Sequence, residues 1–260
     1  MLSNEIRQKV ADALYDADVN RKTIVQPSIQ WPEMELDDAY DIQAKWADKR
    51  IADGAQVIGH KIGLTSRAMQ KASKMTEPDY GVMLDDALFR DGARIPADRF
   101  VKPRLEVELA FVMGEDLEGP NCESHDVLRA TEYVTPALEI IDYRTEVPRN
   151  ITDTIADNAA FGAIVLGGRI IRPFDVDLRW VSATLTQNGI IEETGVSAGI
   201  MGHPAAGMAW LVRKLHAVGG KLEKGQIVLA GSFTRPIDIS SGDVATADFG
   251  ELGQISVKFD

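Results

Sequence analysis

Arg104-Leu105-Glu106-Val107-Glu108-Leu109-Ala110-Phe111-Val112 alternates with the two-residue period of a β-strand. Leu105, Val107, Leu109 and Phe111 share one face, and Glu106 and Glu108 share the other. A strand wetted on one side would account for the two glutamates. Two details point elsewhere. Ala110 and Val112 continue the glutamate face, so that face runs into apolar surroundings, and adjacent carboxylates repel each other unless a cation lies between them. Pro136-Ala137-Leu138-Glu139-Ile140-Ile141-Asp142 sharpens the case, because apolar residues of both parities flank Glu139, as in a strand buried on both faces. An ionised carboxylate there is costly unless it is paired or bound to metal. A salt bridge to one of the arginines would satisfy Glu139, and so would a cation. Three carboxylates with no histidine or thiolate among them would form a hard, all-oxygen site, suited to Mg²⁺ or Mn²⁺ rather than zinc.

Outward from these strands the chain is rich in short apolar runs punctuated by Gly and Pro. Strands are predicted at 56–63, 105–113, 137–142, 162–167, 180–187, 190–194, 226–231, 243–248 and 254–259, with Asn188-Gly189 as a two-residue hairpin turn. A helix over about 204–217 interrupts them, with Pro204 in its first turn and Gly219-Gly220 ending it. Strands without regular helix alternation argue against a Rossmann fold or a TIM barrel. The first 55 residues differ in texture. Residues 2–17 place Leu2, Ile6, Val10, Ala13 and Leu14 on one helical stripe, and a second helix capped by Asp37 or Asp38 would run to Gly54. The organisation read from the sequence is a helical N-terminal segment, 1–55, followed by a β-rich catalytic domain, 56–260, of α+β class.

Composition narrows the function. The 260 residues are 45% apolar with a formal net charge of −12, an acidic balance that disfavours nucleic acid and anionic membrane partners. No apolar run approaches the roughly 20 residues that span a bilayer. The polar N-terminus does not resemble a signal peptide, and Cys122 is the single cysteine, which fits a reducing cytoplasm.

Other residues carry possible chemistry. Lys61 lies between Ile58 and Ile62 at a strand end, followed by Gly63; it is either a snorkelling surface lysine or, if desolvated, an anion-binding or acid–base group. His60 points to the opposite face, so the two are not a dyad. Asp79, in Glu77-Pro78-Asp79-Tyr80-Gly81, reads equally as a turn former. Gly231-Ser232-Phe233-Thr234-Arg235-Pro236 ends an apolar strand with two hydroxyls and a guanidinium, groups that suit carboxylate recognition. His125, His203 and His216 have no ligand spacing, and Gly167-Gly168 lacks the surroundings of a phosphate loop.

The ordered set GHKIGLTS (59–66), EPDYG (77–81), PRLEVELAF (103–111), GPNC (119–122), PALEIID (136–142), DNAA (157–160), LRW (178–180), NGIIEETG (188–195), HPAAGMAWL (203–211) and GSFTRP (231–236) resembles the hydratase and decarboxylase branch of the fumarylacetoacetate hydrolase superfamily. The resemblance spans nearly the whole chain. It implies a mixed β-sheet roll behind a helical N-terminal part, homo-oligomeric assembly, and a divalent metal, Mg²⁺ or Mn²⁺, held by Glu106, Glu108 and Glu139. It further implies Lys61 and Asp79 as proton-transfer groups and Ser232, Thr234 and Arg235 as substrate-facing residues. The implied activity is addition of water to 2-oxo-hept-4-ene-1,7-dioate in aromatic-compound catabolism. Alternatives on the same metal site are decarboxylation of 4-oxalocrotonate and hydration of 2-oxopent-4-enoate; a non-catalytic stabilising subunit is a further alternative. Carbon–carbon hydrolases of the superfamily use a His–Glu pair, which is not placed here.

Overall fold

The computed structural model describes residues 1–260. In chain order the helices are α1 (Asn4–Asn20), α2 (Pro27–Gln30), α3 (Leu36–Ala52), α4 (Arg67–Ala72), α5 (Ser124–Ala130), α6 (Ile151–Ala156) and α7 (Pro204–Ala217). The strands are β1 (Val57–Gly63), β2 (Asp79–Leu84), β3 (Leu88–Arg90), β4 (Ala93–Ile95), β5 (Arg104–Met113), β6 (Thr131–Ile141), β7 (Phe161–Leu166), β8 (Ser182–Gln187), β9 (Ile190–Val196), β10 (Ile227–Leu229), β11 (Ile237–Asp238), β12 (Val244–Asp248) and β13 (Gln254–Phe259).

They form two mixed sheets. The larger has the order β2-β1-β10-β5-β6-β7-β3, with β11 added alongside β5; the smaller runs β4-β13-β12-β8-β9. Both sheets and α7 share one continuous apolar core, in which Leu105, Val107, Leu109, Phe111, Leu138 and Ile140 are fully buried. Central β5 and β6 are therefore covered on both faces, the environment expected around Glu139. At the hairpin between β8 and β9, Asn188 and Gly189 take φ of 54° and 82°, the left-handed pair that a tight turn between right-twisted strands requires.

The N-terminal helices have their own smaller core. Val10 and Leu14 of α1 meet Ile42 and Trp46 of α3, and the cluster extends to Leu84, Ile155 and Ala156. α1 starts where the Ser3 hydroxyl accepts from the Ile6 amide and ends at Arg21, whose φ of 51° breaks the helix.

Several expectations need correction. α3 is not capped by Asp37 or Asp38: Glu35 is the cap residue, and Asp38 sits in the first turn, reaching back to the Glu35 amide at 3.0 Å and the Leu2 amide at 2.9 Å. The strand expected at 137 begins at Thr131. Asp79 opens β2 instead of forming a turn. β2, β3 and β4, of six, three and three residues, are too short and irregular to show a two-residue period, and β3 and β4 gain their order from β7 and β13, far away in sequence.

Candidate active site

The register of β5 against β6 sets Glu106 directly opposite Glu139 and Glu108 opposite Ala137. Paired residues in an antiparallel ladder point to the same face, so the three glutamates converge. One oxygen from each lies within 4.8 Å of the others. Glu139 is completely buried and Glu108 almost so. Both oxygens of Glu139 and Oε1 of Glu108 lack a hydrogen-bond donor, while Oε2 of Glu108 accepts from the Gly231 amide at 2.8 Å. Burial and then the Glu139 charge push Glu106 up to about 8, with Lys61 and Arg104 pulling the other way. Glu108 is raised well above the carboxylate range for the same two reasons, burial first.

Lys61 answers part of this charge. Its Nζ lies 3.1 Å from Glu139 Oε1 and donates to the Ala159 carbonyl at 3.0 Å. The pairing expected from an arginine is thus supplied by a lysine. One ammonium cannot balance three carboxylates: Glu139 Oε1 has only this ion pair, and Glu139 Oε2 and Glu108 Oε1 remain buried with no partner. An all-oxygen, net-negative, dry cluster of this kind fits a hard divalent cation.

Asp79 lies diagonally from Lys61 across the β1–β2 pairing, in which Gly63 faces Asp79 and Lys61 faces Gly81. Burial raises Asp79 to about 6, against the opposing pull of Lys61. Burial alone would lower the Lys61 ammonium, but Glu139, Asp79, Glu106 and Glu108 together hold its pKa above the ordinary value. Space for the pair depends on Gly63, where a Cβ would stand 2.1 Å from Asp79 Oδ1 and 3.4 Å from Lys61 Nζ. His60, on the other face and deprived of charge by burial, is not part of the site.

The turn after β10 lies along β5. The Ser232 hydroxyl donates to the Thr234 carbonyl at 2.9 Å, and the Thr234 hydroxyl accepts from the Val107 amide at 3.2 Å. Arg235 is 84% exposed and bonds Glu193 through Nε at 2.8 Å. The structure therefore brings Lys61, Asp79 and the three glutamates together, joins the Gly231–Thr234 turn to them through one amide, and leaves the Arg235 guanidinium at the surface.

Sequence reasoning missed three contributors. The Gly231 amide and the Ala159 carbonyl are backbone groups, invisible to residue type. Arg104 shares the glutamate face, and its place one pleat before Glu106 was legible in the alternation, yet it was not singled out.

The fold is thus a mixed α+β architecture with a buried carboxylate triad, able to hold a metal ion, on two central strands behind a helical segment. The family described as fumarylacetoacetate (FAA) hydrolase C-terminal matches residues 42–259, and the chain belongs to it. Within that class the chain is 50% identical, over the full length of both proteins, to 2-oxo-hept-4-ene-1,7-dioate hydratase of Escherichia coli. It is 36% identical to 2-keto-4-pentenoate hydratase of Paraburkholderia xenovorans (strain LB400), covering 98% of this chain and 95% of that one. Among solved structures, 4-oxalocrotonate decarboxylase from Pseudomonas putida G7, complexed with magnesium and adipate, superposes with a TM-score of 0.98 at 31% identity, covering 100% of this chain and 99% of that one.

Proposed function

We propose that the chain is a metal-dependent hydratase that adds water to 2-oxo-hept-4-ene-1,7-dioate, giving 4-hydroxy-2-oxoheptane-1,7-dioate in aromatic-compound catabolism. The observation that carries the reading is the 50% identity, end to end, to a hydratase of that substrate. The buried carboxylate cluster supports it, because 2-oxo acid chemistry needs a positive centre at the keto end.

Glu106, Glu108 and Glu139 are the ligands in this reading, with Mg²⁺ as the ion and Mn²⁺ as a substitute; the magnesium in the decarboxylase complex supports the choice. A divalent cation held there would supply Lewis acidity at the keto-acid end of the substrate, where negative charge develops when a C3 proton leaves. Lys61 and Asp79 are the proton-transfer groups. Removing a proton from C3 and returning one at C5 moves the double bond into conjugation with the ketone. Water then adds at C4, and a proton returns to C3. Asp79, raised to about 6, exists in both protonation states near neutral pH, as a group that must take and return protons should. Ser232 and Thr234 face substrate through their turn. Arg235 holds the far carboxylate: its guanidinium is 84% exposed, so its pair with the more buried Glu193 is open on the solvent side, where an incoming anion can compete for it.

Incubation with 2-oxo-hept-4-ene-1,7-dioate and Mg²⁺ should yield a product heavier by one water, and EDTA should abolish it. Carbon dioxide release from 4-oxalocrotonate with no hydration would instead place the chain with the decarboxylases. Arg235→Ala should reduce kcat/KM for the dioate about tenfold or more, roughly the value of a charge-assisted carboxylate contact, and leave 2-oxopent-4-enoate unaffected. Equal losses on both substrates would remove Arg235 from recognition.

The reading includes a homo-oligomer. Ile190 and Ile191, 66% and 61% exposed on edge strand β9, support it as an apolar surface to be covered. No helix is long and apolar enough to cross a membrane. The single Cys122, unpaired, supports a reducing compartment.

A further inference from the structure

The segment Asp157-Asn158-Ala159-Ala160 carries no acid–base or metal-ligating group beyond Asp157, which is committed to Arg144 through a 2.5 Å bond from the guanidinium Nε. Its backbone is nevertheless unusual. Asn158, Ala159 and Ala160 take φ of 50°, 50° and 60° in succession. A left-handed alanine costs about 1–2 kcal/mol, so two in a row persist only where surrounding contacts impose them. Those contacts are on β2. This strand ends the large sheet, and its outer edge would otherwise present unpaired backbone groups. The Asn158 side-chain amide takes the place of a further strand: Oδ1 accepts from the Val82 amide at 2.8 Å and Nδ2 donates to the Val82 carbonyl at 2.8 Å. Gln43 from α3 covers the neighbouring Tyr80 carbonyl at 2.9 Å. The turn also presses on Gly81, where a Cβ would meet the Asn158 carbonyl oxygen at 2.6 Å. Gly81 is the residue paired with Lys61. The left-handed run thereby delivers the Ala159 carbonyl to Lys61 Nζ at 3.0 Å.

We propose that Asn158 is a positioning residue for proton transfer: its amide clamps β2, which carries Asp79, and fixes the left-handed turn whose Ala159 carbonyl aims the Lys61 ammonium. The inference rests on the reading of Lys61 and Asp79 as the proton-transfer pair, and adds what holds them in register. Asn suits the position on two counts, tolerating the left-handed conformation better than most residues and carrying a donor and an acceptor on one planar group. Asn158→Gly separates these, keeping the backbone conformation while deleting the clamp. Gln43→Ala removes cover from the same strand edge, and with it the 2.9 Å bond to the Ile155 carbonyl of α6, while leaving residues 158–160 and their own contacts in place, and so reports what loss of edge cover does without loss of the Asn158 clamp.

The probe is deuterium exchange at C3 of 2-oxoheptane-1,7-dioate in D2O with Mg²⁺, followed by NMR. This saturated 2-oxo acid undergoes proton transfer but has no double bond to hydrate. A misplaced acid–base group forfeits part of its usual contribution, so Asn158→Gly should slow exchange about 10- to 100-fold. Mg²⁺ affinity by calorimetry should stay within about threefold, as should exchange by Gln43→Ala, since neither touches the proton-transfer groups or the carboxylates. The inference is overturned if Asn158→Gly exchanges within about threefold of the wild type, if Gln43→Ala loses as much, or if Mg²⁺ affinity falls in step. Should Asn158→Gly not fold, Asn158→Asp, which keeps the acceptor for the Val82 amide and turns a carboxylate oxygen, in place of the donor, onto the Val82 carbonyl, is judged by the same criteria. A wild type that exchanges C3 but does not hydrate the heptenedioate refutes the assigned reaction and leaves the positioning role standing. One that exchanges nothing refutes both.

Discussion

Glu139 is flanked by apolar neighbours, has only the Lys61 ammonium beside Oε1 and nothing on Oε2, and is faced by two other carboxylates. Such a residue is poorly accommodated until a cation arrives, and the cost is visible in the carboxyls around it. Glu106 and Asp79 are raised to about 8 and about 6, from ordinary values of 4.5 and 3.8. The folded, metal-free protein therefore holds protons that the unfolded chain has already released, and stability falls as pH rises through those folded values. His60, lowered to about 4 from 6.5, and His203, also lowered by burial, act in the opposite sense until unfolded histidine has lost its proton, an effect that fades above about pH 7 and is outweighed there by the carboxyls. Between pH 6.5 and 8 metal-free protein should lose stability to urea, and saturating Mg²⁺ should abolish or reverse the slope. A metal-free midpoint that rises across this range would contradict the charge assignment. Glu106→Gln, by removing one of the repelling charges, should raise the metal-free midpoint at pH 8 while weakening Mg²⁺ binding by at least the roughly 10- to 100-fold that loss of an outer-shell partner alone costs. Unchanged Mg²⁺ affinity would make the glutamate structural.

At the scale of the element, pairing decides which side chains meet. β5 and β6 bring Glu106, Glu108 and Glu139 together through register, so a one-residue slip would carry all the glutamates of one strand to the other face. The β1–β2 pair is organised around missing side chains. A Cβ at Gly63 would collide with Asp79 Oδ1, not with backbone, so the strand can persist while Asp79 moves. Gly63→Ala should consequently reduce kcat about as much as Asp79→Asn, roughly 10²- to 10⁴-fold for a positioned acid–base group, with Mg²⁺ affinity retained. Steady-state kinetics and calorimetry on both variants check this, and a Gly63→Ala enzyme of near wild-type kcat would move Asp79 out of the reaction.

Across the whole molecule, the helical segment and the β domain are joined by a buried ionic network as well as by apolar packing. Arg144, 3% exposed, donates to Asp157 through its amide and Nε and to the Phe161 carbonyl through Nη1, and its guanidinium lies 5.8 Å from the Trp46 ring centre. Asp18 of α1 is 3.8 Å away. The network anchors the start of the left-handed turn to the N-terminal helices. Arg144→Met would leave Asp157 buried and uncompensated, at a cost of about 3–5 kcal/mol. Urea denaturation should show that loss, and a variant within about 1 kcal/mol of the wild type would mean that the turn is held by its other contacts.

Much of this architecture was legible in the amino-acid order. Period-2 alternation exposed β5, the Asn-Gly pair located the β8–β9 hairpin, and charges set among apolar residues marked Glu106, Glu108 and Glu139, because burial penalises an ionised group wherever it falls in the chain. Lys61 and Asp79 stood out by resemblance, while their own surroundings left them open to plainer readings. What residue types do not encode is which backbone atoms arrive at the site. The Gly231 amide on Glu108, the Ala159 carbonyl on Lys61 and the Asn158 clamp on Val82 join segments more than 70 residues apart, at separations of 123, 98 and 76 positions. The sequence by itself determined most of the longer strands, their apolar faces and the misplaced carboxylates, since these follow from local periodicity and the cost of burying charge. Only the tertiary structure decided the convergence of the carboxylates and the aim of Lys61, because both depend on strand register and on backbone groups brought close by folding.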